Sequence, residues 1–173
     1  MNFYYKKFSK PGWFIKRKFL EFVFNDKSSG KFDSVTKSSW RSLKSVELGL
    51  YELYHKYLNP IISEEIGPHQ NNRMWYQVYG KNTDSCHTYH QHYDQYASLS
   101  GIYYLKFKDL RQSTVFLHEG KSEIPEISEG DLVIFDAKVL HQSPPCRSNH
   151  DKIVVSFNLL PENDHPKLAT QFG

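Results

Sequence analysis

The 173-residue sequence predicts a mainly β domain, a sandwich or jelly roll carrying one or two helices from its N-terminal third. Three observations predict it. After Gly67-Pro68 the chain breaks into five short β-branched and aromatic runs, at residues 73–79, 99–107, 113–118, 131–135 and 152–160. No helical stripe separates them, so these strands must pair with one another. Turn residues punctuate them: Glu129-Gly130-Asp131 leads into a strand, and Ser143-Pro144-Pro145 forces an extended or turning exit.

Each earlier element has its own signal. From about Trp40 apolar residues fall at Leu43, Val46, Leu50, Tyr54 and Tyr57, steps of three and four that mark a helix. Asn59-Pro60 is expected to stop it, because proline disfavours helix in the residue before it. Gly49 inside the stripe weakens that helix by about 1 kcal/mol against alanine, so packing must supply its stability. Residues 26–39 are polar and Gly/Ser-rich and read as a loop after an N-terminal strand or turn.

The first eighteen residues hold Lys6, Lys7, Lys10, Lys16, Arg17 and Lys18 and no acid, interleaved with aromatics. Such a segment could meet a membrane surface, a nucleic acid or an acidic partner. The simpler reading is an edge strand whose lysines discourage sheet-to-sheet pairing while its aromatics pack inward. Neither a membrane nor a nucleic-acid partner is expected.

Bulk properties bound the rest. The length suits one domain over residues 1–173, with 1–70 as a support and 71–160 as the core. The net charge of +3 excludes little, while 12 Tyr, 12 Phe and 3 Trp make an aromatic core with hydroxyls that need partners. Cys86 and Cys146 are too few for a disulfide framework and suggest free thiols in a reducing compartment. No run of about 18 apolar residues predicts a spanning helix, and the N-terminus lacks the apolar stretch of a secretion signal. The cytoplasm is therefore the expected location.

Potential metal ligands are densest in Cys86-His87-Thr88-Tyr89-His90-Gln91-His92-Tyr93-Asp94, just before a strand. On extended chain residues i and i+2 share a face, so His92 and Asp94 can meet one ion, and His90 has the same parity. His141, with five residues between it and Phe135, is placed to supply a third ligand. Two histidines and a carboxylate leave one side of a metal open, the arrangement of non-haem Fe(II) centres that activate oxygen. Other readings stand beside it. A His or Asp before a strand is commonly a capping group, His90 could replace His92, and Cys86, His87, His90 and His92 could hold zinc, although four ligands crowd that short loop.

The motifs Trp75-Tyr76-Gln77-Val78-Tyr79, His92-Tyr93-Asp94 and Leu99-Ser100-Gly101-Ile102-Tyr103-Tyr104-Leu105 are followed by three more. These are Glu129-Gly130-Asp131-Leu132-Val133-Ile134-Phe135, His141 and Lys152-Ile153-Val154-Val155-Ser156-Phe157-Asn158. In order and spacing, about half the chain resembles the 2-oxoglutarate and Fe(II)-dependent oxygenases, especially their prolyl 4-hydroxylase-like branch. The resemblance implies a double-stranded β-helix, the cupin-like jelly roll, with His92, Asp94 and His141 as iron ligands in residues 71–160. It implies Lys152 as the partner of the distal carboxylate of 2-oxoglutarate, Tyr104 as a donor to the same group, and Tyr79 as a pocket wall. Fe(II), 2-oxoglutarate and O2 would be required, with ascorbate as an accessory reductant. The implied activity is a dioxygenase that hydroxylates a small-molecule or peptide substrate, such as a prolyl or other amino-acid residue.

The sequence departs from that pattern where many relatives carry Arg-x-Ser, here Lys152 and Val154, and Arg147 lies close enough to compete for the carboxylate. Alternation supports the lysine independently, because Lys152, Val154, Ser156 and Asn158 share the more polar face of their strand, where a cation needs an anion. A strand-end lysine could instead reach water along its stem. A rival of another class is a non-catalytic jelly-roll module that binds a metal or small anion. Substrate choice is expected in the loops at 80–88, 93–98 and 116–126, with the N-terminal third as support and lid.

Overall fold

A computed structural model describes residues 5–8, 10–32, 34–92 and 97–162. An opening strand β1 (Tyr5–Phe8) leads to helix α1 (Trp13–Asn25) and a hairpin of β2 (Gly30–Phe32) and β3 (Val35–Ser38). Helix α2 (Lys44–Leu53), a π-helical turn (Tyr54–Leu58) and α3 (Asn59–Ile66) follow without a break. The remainder is β4 (His69–Tyr79), β5 (His87–His90), β6 (Leu99–Lys106), β7 (Val115–His118), β8 (Lys121–Glu123), β9 (Leu132–Asp136), β10 (Leu140–Ser143) and β11 (Lys152–Pro161). They form two antiparallel sheets, one ordered β1-β9-β6-β11-β4-β3-β2 and one ordered β5-β10-β7-β8.

All five runs read from the sequence are strands, and period-two alternation decides what each face of the large sheet meets. On β11, Ile153, Val155, Phe157 and Leu159 pack with Phe19, Val23, Val46, Leu50 and Tyr54 of the helices. Val154, on the other face, packs with Tyr79, Ile102, Tyr104, Phe135 and, from the small sheet, Phe116. The helices therefore cover one face of the large sheet, and the small sheet faces the other. β6 repeats the rule, with Tyr103 and Leu105 toward the helices and Ile102 and Tyr104 toward the small sheet.

The helical segment departs from expectation at its end. Pro60 does not stop it but begins α3, within whose first turn a missing N–H is harmless. Buried residues recur at strict steps of four, Val46, Leu50, Tyr54, Leu58, Ile62 and Ile66. On an α-helix such a stripe drifts by about 40° per step. The intervening π turn resets that drift and keeps the stripe on the sheet. Leu43 is no part of it, being 62% exposed. Gly49 has a packing reason: an added Cβ would lie 2.5 Å from the Phe22 ring of α1.

The N-terminal segment is an edge strand followed by a helix. β1 pairs with β9 as the last strand of the large sheet. Each of the early cations lies near a carboxylate: Lys6 at Glu65, Lys7 and Lys10 at Asp131, Lys16 at Glu129, and Arg17 and Lys18 at Glu21. Phe8 turns inward as expected, but Trp13 and Phe14 are more than half exposed beneath Arg17 and Lys18. Residues 26–39, read as a loop, contain the β2–β3 hairpin, which extends the large sheet beside β4. No helix among the described residues is long and apolar enough to cross a membrane.

Candidate metal centre

Between the sheets the chain brings three imidazoles together. His90 ends β5 and pairs across the ladder with His141 of β10. His92 lies two residues beyond, its N–H donating to the Ala137 carbonyl at 2.9 Å in the turn that leads to β10. Ligand atoms of His90, His92 and His141 all lie within 4.8 Å of one another, the one such cluster among the described residues. Asp94, the carboxylate expected in the ligand set, lies outside the described residues.

The donors are prepared for a cation. His141 Nδ1 sits 3.0 Å from the Val139 carbonyl and His90 Nδ1 2.7 Å from the Thr88 carbonyl. A carbonyl only accepts, so each Nδ1 carries the proton and each Nε2 keeps its lone pair. Burial, with the neighbouring His90 and His92 rings, holds His141 well below the ordinary imidazole range, and burial also lowers His90. Neutral imidazole is the ligating form. Phe135 stands edge-on to His141 at 4.7 Å, and Trp75 lies 5.4 Å from His92, which limits the rings' swing. A set of close imidazole donors, two of them kept from protonation by burial, fits a borderline divalent transition metal, iron or zinc.

Cys86 is absent from the cluster, and its N–H is turned to the Ser34 carbonyl, which leaves the four-ligand zinc loop without support. His87 stacks on His90 at 3.9 Å and meets the Gln77 amide at 3.2 Å through Nδ1.

Lys152 lines the same cavity as the histidines, together with Tyr79, Thr114 and Ser143. Its side chain is 1% exposed and donates to the Gln112 carbonyl at 2.7 Å and Ser143 Oγ at 3.0 Å, both uncharged acceptors. Burial pulls its pKa down to about 7. The ammonium is 4.9 Å from the Tyr79 ring and 5.8 Å from the Tyr104 ring. Tyr104 Oη is 2.6 Å from Thr114 Oγ1. Buried nearby in sequence, Gln112 Oε1 and Ser113 Oγ have no hydrogen-bond partner among the described residues. A buried cation among hydroxyls is a socket for an anion. Arg147 does not share it, being exposed and donating to the Asn82 carbonyl.

Sequence reasoning treated His90 only as an alternative ligand and passed over Ser143. The signal for Ser143 was available, because it follows His141 by two positions on an extended strand and so shares its face. Nothing in the sequence announced Gln112, whose carbonyl reaches Lys152 from a short 3-10 turn at Leu110–Gln112.

No family model matches the chain, and no curated protein matches its sequence. Solved structures do match its fold. HygX from Streptomyces hygroscopicus, with nickel and 2-oxoglutarate bound, superposes with a TM-score of 0.71 at 9% identity, over 93% of this chain and 84% of that one. The non-haem alpha-ketoglutarate-dependent epimerase SnoN from nogalamycin biosynthesis gives 0.69 at 9% identity, over 92% and 78%. A Trichoplax adhaerens prolyl hydroxylase in complex with a hypoxia inducible factor peptide gives 0.66 at 14% identity, over 96% and 86%. At such identities the likeness establishes the fold, the jelly roll of the 2-oxoglutarate/Fe(II) oxygenases.

Proposed function

We propose that this protein is an Fe(II)- and 2-oxoglutarate-dependent dioxygenase that hydroxylates a small molecule or a peptidyl residue. The observation that carries this reading is one cavity that holds both a cluster of three imidazoles and a buried lysine whose acceptors are all uncharged. His92 and His141 are taken as ligands because the motif implies them and both belong to the imidazole cluster. The third is His90 by proximity or Asp94 by resemblance.

When bound, iron with 2-oxoglutarate would supply the oxygen activation that no side chain here can perform. The chain's own residues hold and orient. Lys152 would pair with the distal carboxylate of 2-oxoglutarate as a point charge, with Ser143, Thr114 and Tyr104 within its polar surround. Tyr79, Ile102, Val154 and Phe135 form the less polar part of the cavity wall.

The test is succinate formation from 2-oxoglutarate by protein loaded anaerobically with Fe(II), with and without oxygen and added ascorbate. Oxygen-dependent succinate that disappears in His92→Ala and His141→Ala is the expected result. A second reading draws on the all-nitrogen cluster, since three histidines also hold zinc. It makes the protein a metal- and anion-binding module, with metal and 2-oxoglutarate bound tightly and no succinate formed.

A further inference from the structure

Next to the histidines, a second cavity of about 260 Å³ opens between Phe32 of β2, Trp40 of the segment after β3, Trp75 of β4 and Gln91. His87, His90 and His92 form its floor, so whatever fills it lies against the metal cluster. Its walls are fixed. Trp75 stands edge-on to Trp40 at 4.6 Å, and Phe32 leans on Trp40 at 6.4 Å. The Arg73 guanidinium lies 3.4 Å from the centre of the Trp40 ring and also donates to the Trp40 carbonyl at 3.2 Å. Arg41 lies 5.0 Å from the centre of the Phe32 ring. Two of the three aromatic walls are therefore already in contact with a cation.

We propose that this aromatic cavity receives the reacting part of the primary substrate, and that this part is an uncharged ring. The assignment rests on the oxygenase reading for calling the occupant a substrate. Size argues for a single ring system, because ligand pockets commonly run from about 300 to 1,000 Å³ and this one falls just below. Shape argues for a ring, because indole and phenyl walls favour stacked or edge-to-face partners. Charge argues against an ammonium. No carboxylate lines the cavity among its described residues, and Arg41 and Arg73 already lie over the Phe32 and Trp40 rings, adding positive charge beside it. Gln77 and Gln91 are the neutral groups that remain to fix the ring's orientation.

The chain carries its own reporters. Trp40 and Trp75 are in the cavity, and Trp13, 67% exposed on α1, serves as the internal control. The protein, with Zn(II) and 2-oxoglutarate present, is titrated with benzyl alcohol and with benzylamine, one ring without and with a charge. The indole N–H resonances are followed by nuclear magnetic resonance. Benzyl alcohol should move the Trp40 and Trp75 signals and leave Trp13 in place, with benzylamine at least about tenfold weaker. Trp40→Ala should abolish the Trp75 response. Arg41→Glu, at an exposed position, should narrow the gap between the two ligands. Unmoved Trp40 and Trp75 signals, equal affinity for the two compounds, or a gap indifferent to the charge reversal would overturn the proposal. Succinate formation is read separately: its loss with the shifts intact removes the oxygenase reading and spares the ring site, and the converse removes the ring site alone.

Discussion

At the scale of the residue, Lys152 sets function against stability. It is buried with only uncharged acceptors, and its pKa is pulled down to about 7, against roughly 10.4 for a free lysine. Between those values the unfolded chain binds a proton that the folded chain lacks, so this group makes stability rise with pH across that window and levels off below about 7. Lys152→Met should remove that slope and stabilise the fold by about 1 kcal/mol or more at neutral pH, because an unpaired buried charge goes with it. The same change should weaken 2-oxoglutarate binding by about 100-fold, as loss of one partner of a buried charge pair does. Denaturant unfolding across pH and calorimetric titration measure the two effects. Proton linkage tests the pairing itself. At pH 8 the dicarboxylate must recharge the lysine, so binding should take up a proton and weaken as pH climbs, visible as heats that change with the buffer's ionisation enthalpy. The third metal ligand is decided at the same scale. Loss of Fe(II) affinity in His90→Ala with retention in Asp94→Ala would mean a three-histidine site; the reverse would restore the carboxylate that the resemblance implies.

At the scale of the element, glycine marks where strands and helices are pressed together. Gly101 of β6 pairs with Phe157 of β11, whose ring lies over it; an added Cβ would come within 2.1 Å of that ring. Phe157 is fully buried against Tyr54 of the π turn, so it cannot swing away. Gly101→Ala should therefore destabilise the protein by about 1–3 kcal/mol, as overpacking does, read as a lower denaturant midpoint with an unchanged slope. These contacts also explain what the sequence made legible. The five strands read from the sequence announced themselves because each carries β-branched and aromatic residues, even β7 with only four. β2, β5, β8 and β10 are only three or four residues long and mostly polar, held by their neighbours rather than by any preference of their own. Helix α1 was hidden by its phenylalanines and cations, which suit an edge strand, although Ile15, Phe19, Phe22 and Val23 carry helical spacing. His92 and His141 were legible because a motif brackets them. The aromatic cavity was not, since Phe32, Trp40 and Trp75 meet only after the hairpin folds against β4.

At the scale of the whole molecule, the two sheets are unequally supported, and the histidine cluster lies on the weaker one. The large sheet has seven strands and a helical layer packed on one face. Among the described residues the small sheet has four strands of three or four residues, and β5, the strand carrying His87 and His90, is its edge, paired there to β10 alone. An ion shared by His90 at the end of β5, His92 beyond it and His141 on β10 would tie that edge into the fold. Binding to the folded chain alone stabilises it by about 2.7 kcal/mol at a hundred times the dissociation constant. For a chain of this length that corresponds to roughly 5–10 °C in melting temperature. Mn(II), an oxygen-stable stand-in for Fe(II), should produce such a rise, and His141→Ala should abolish it. Hydrogen exchange should localise the effect, with the amides of β5 and β10 slowing more than those of β4 and β11. Because Lys152 and the histidines line one cavity, 2-oxoglutarate should add its own increment chiefly when metal is present. Equal increments with and without metal would instead mean two independent sites, which would separate the lysine socket from the metal and undo the geometry on which the oxygenase reading stands.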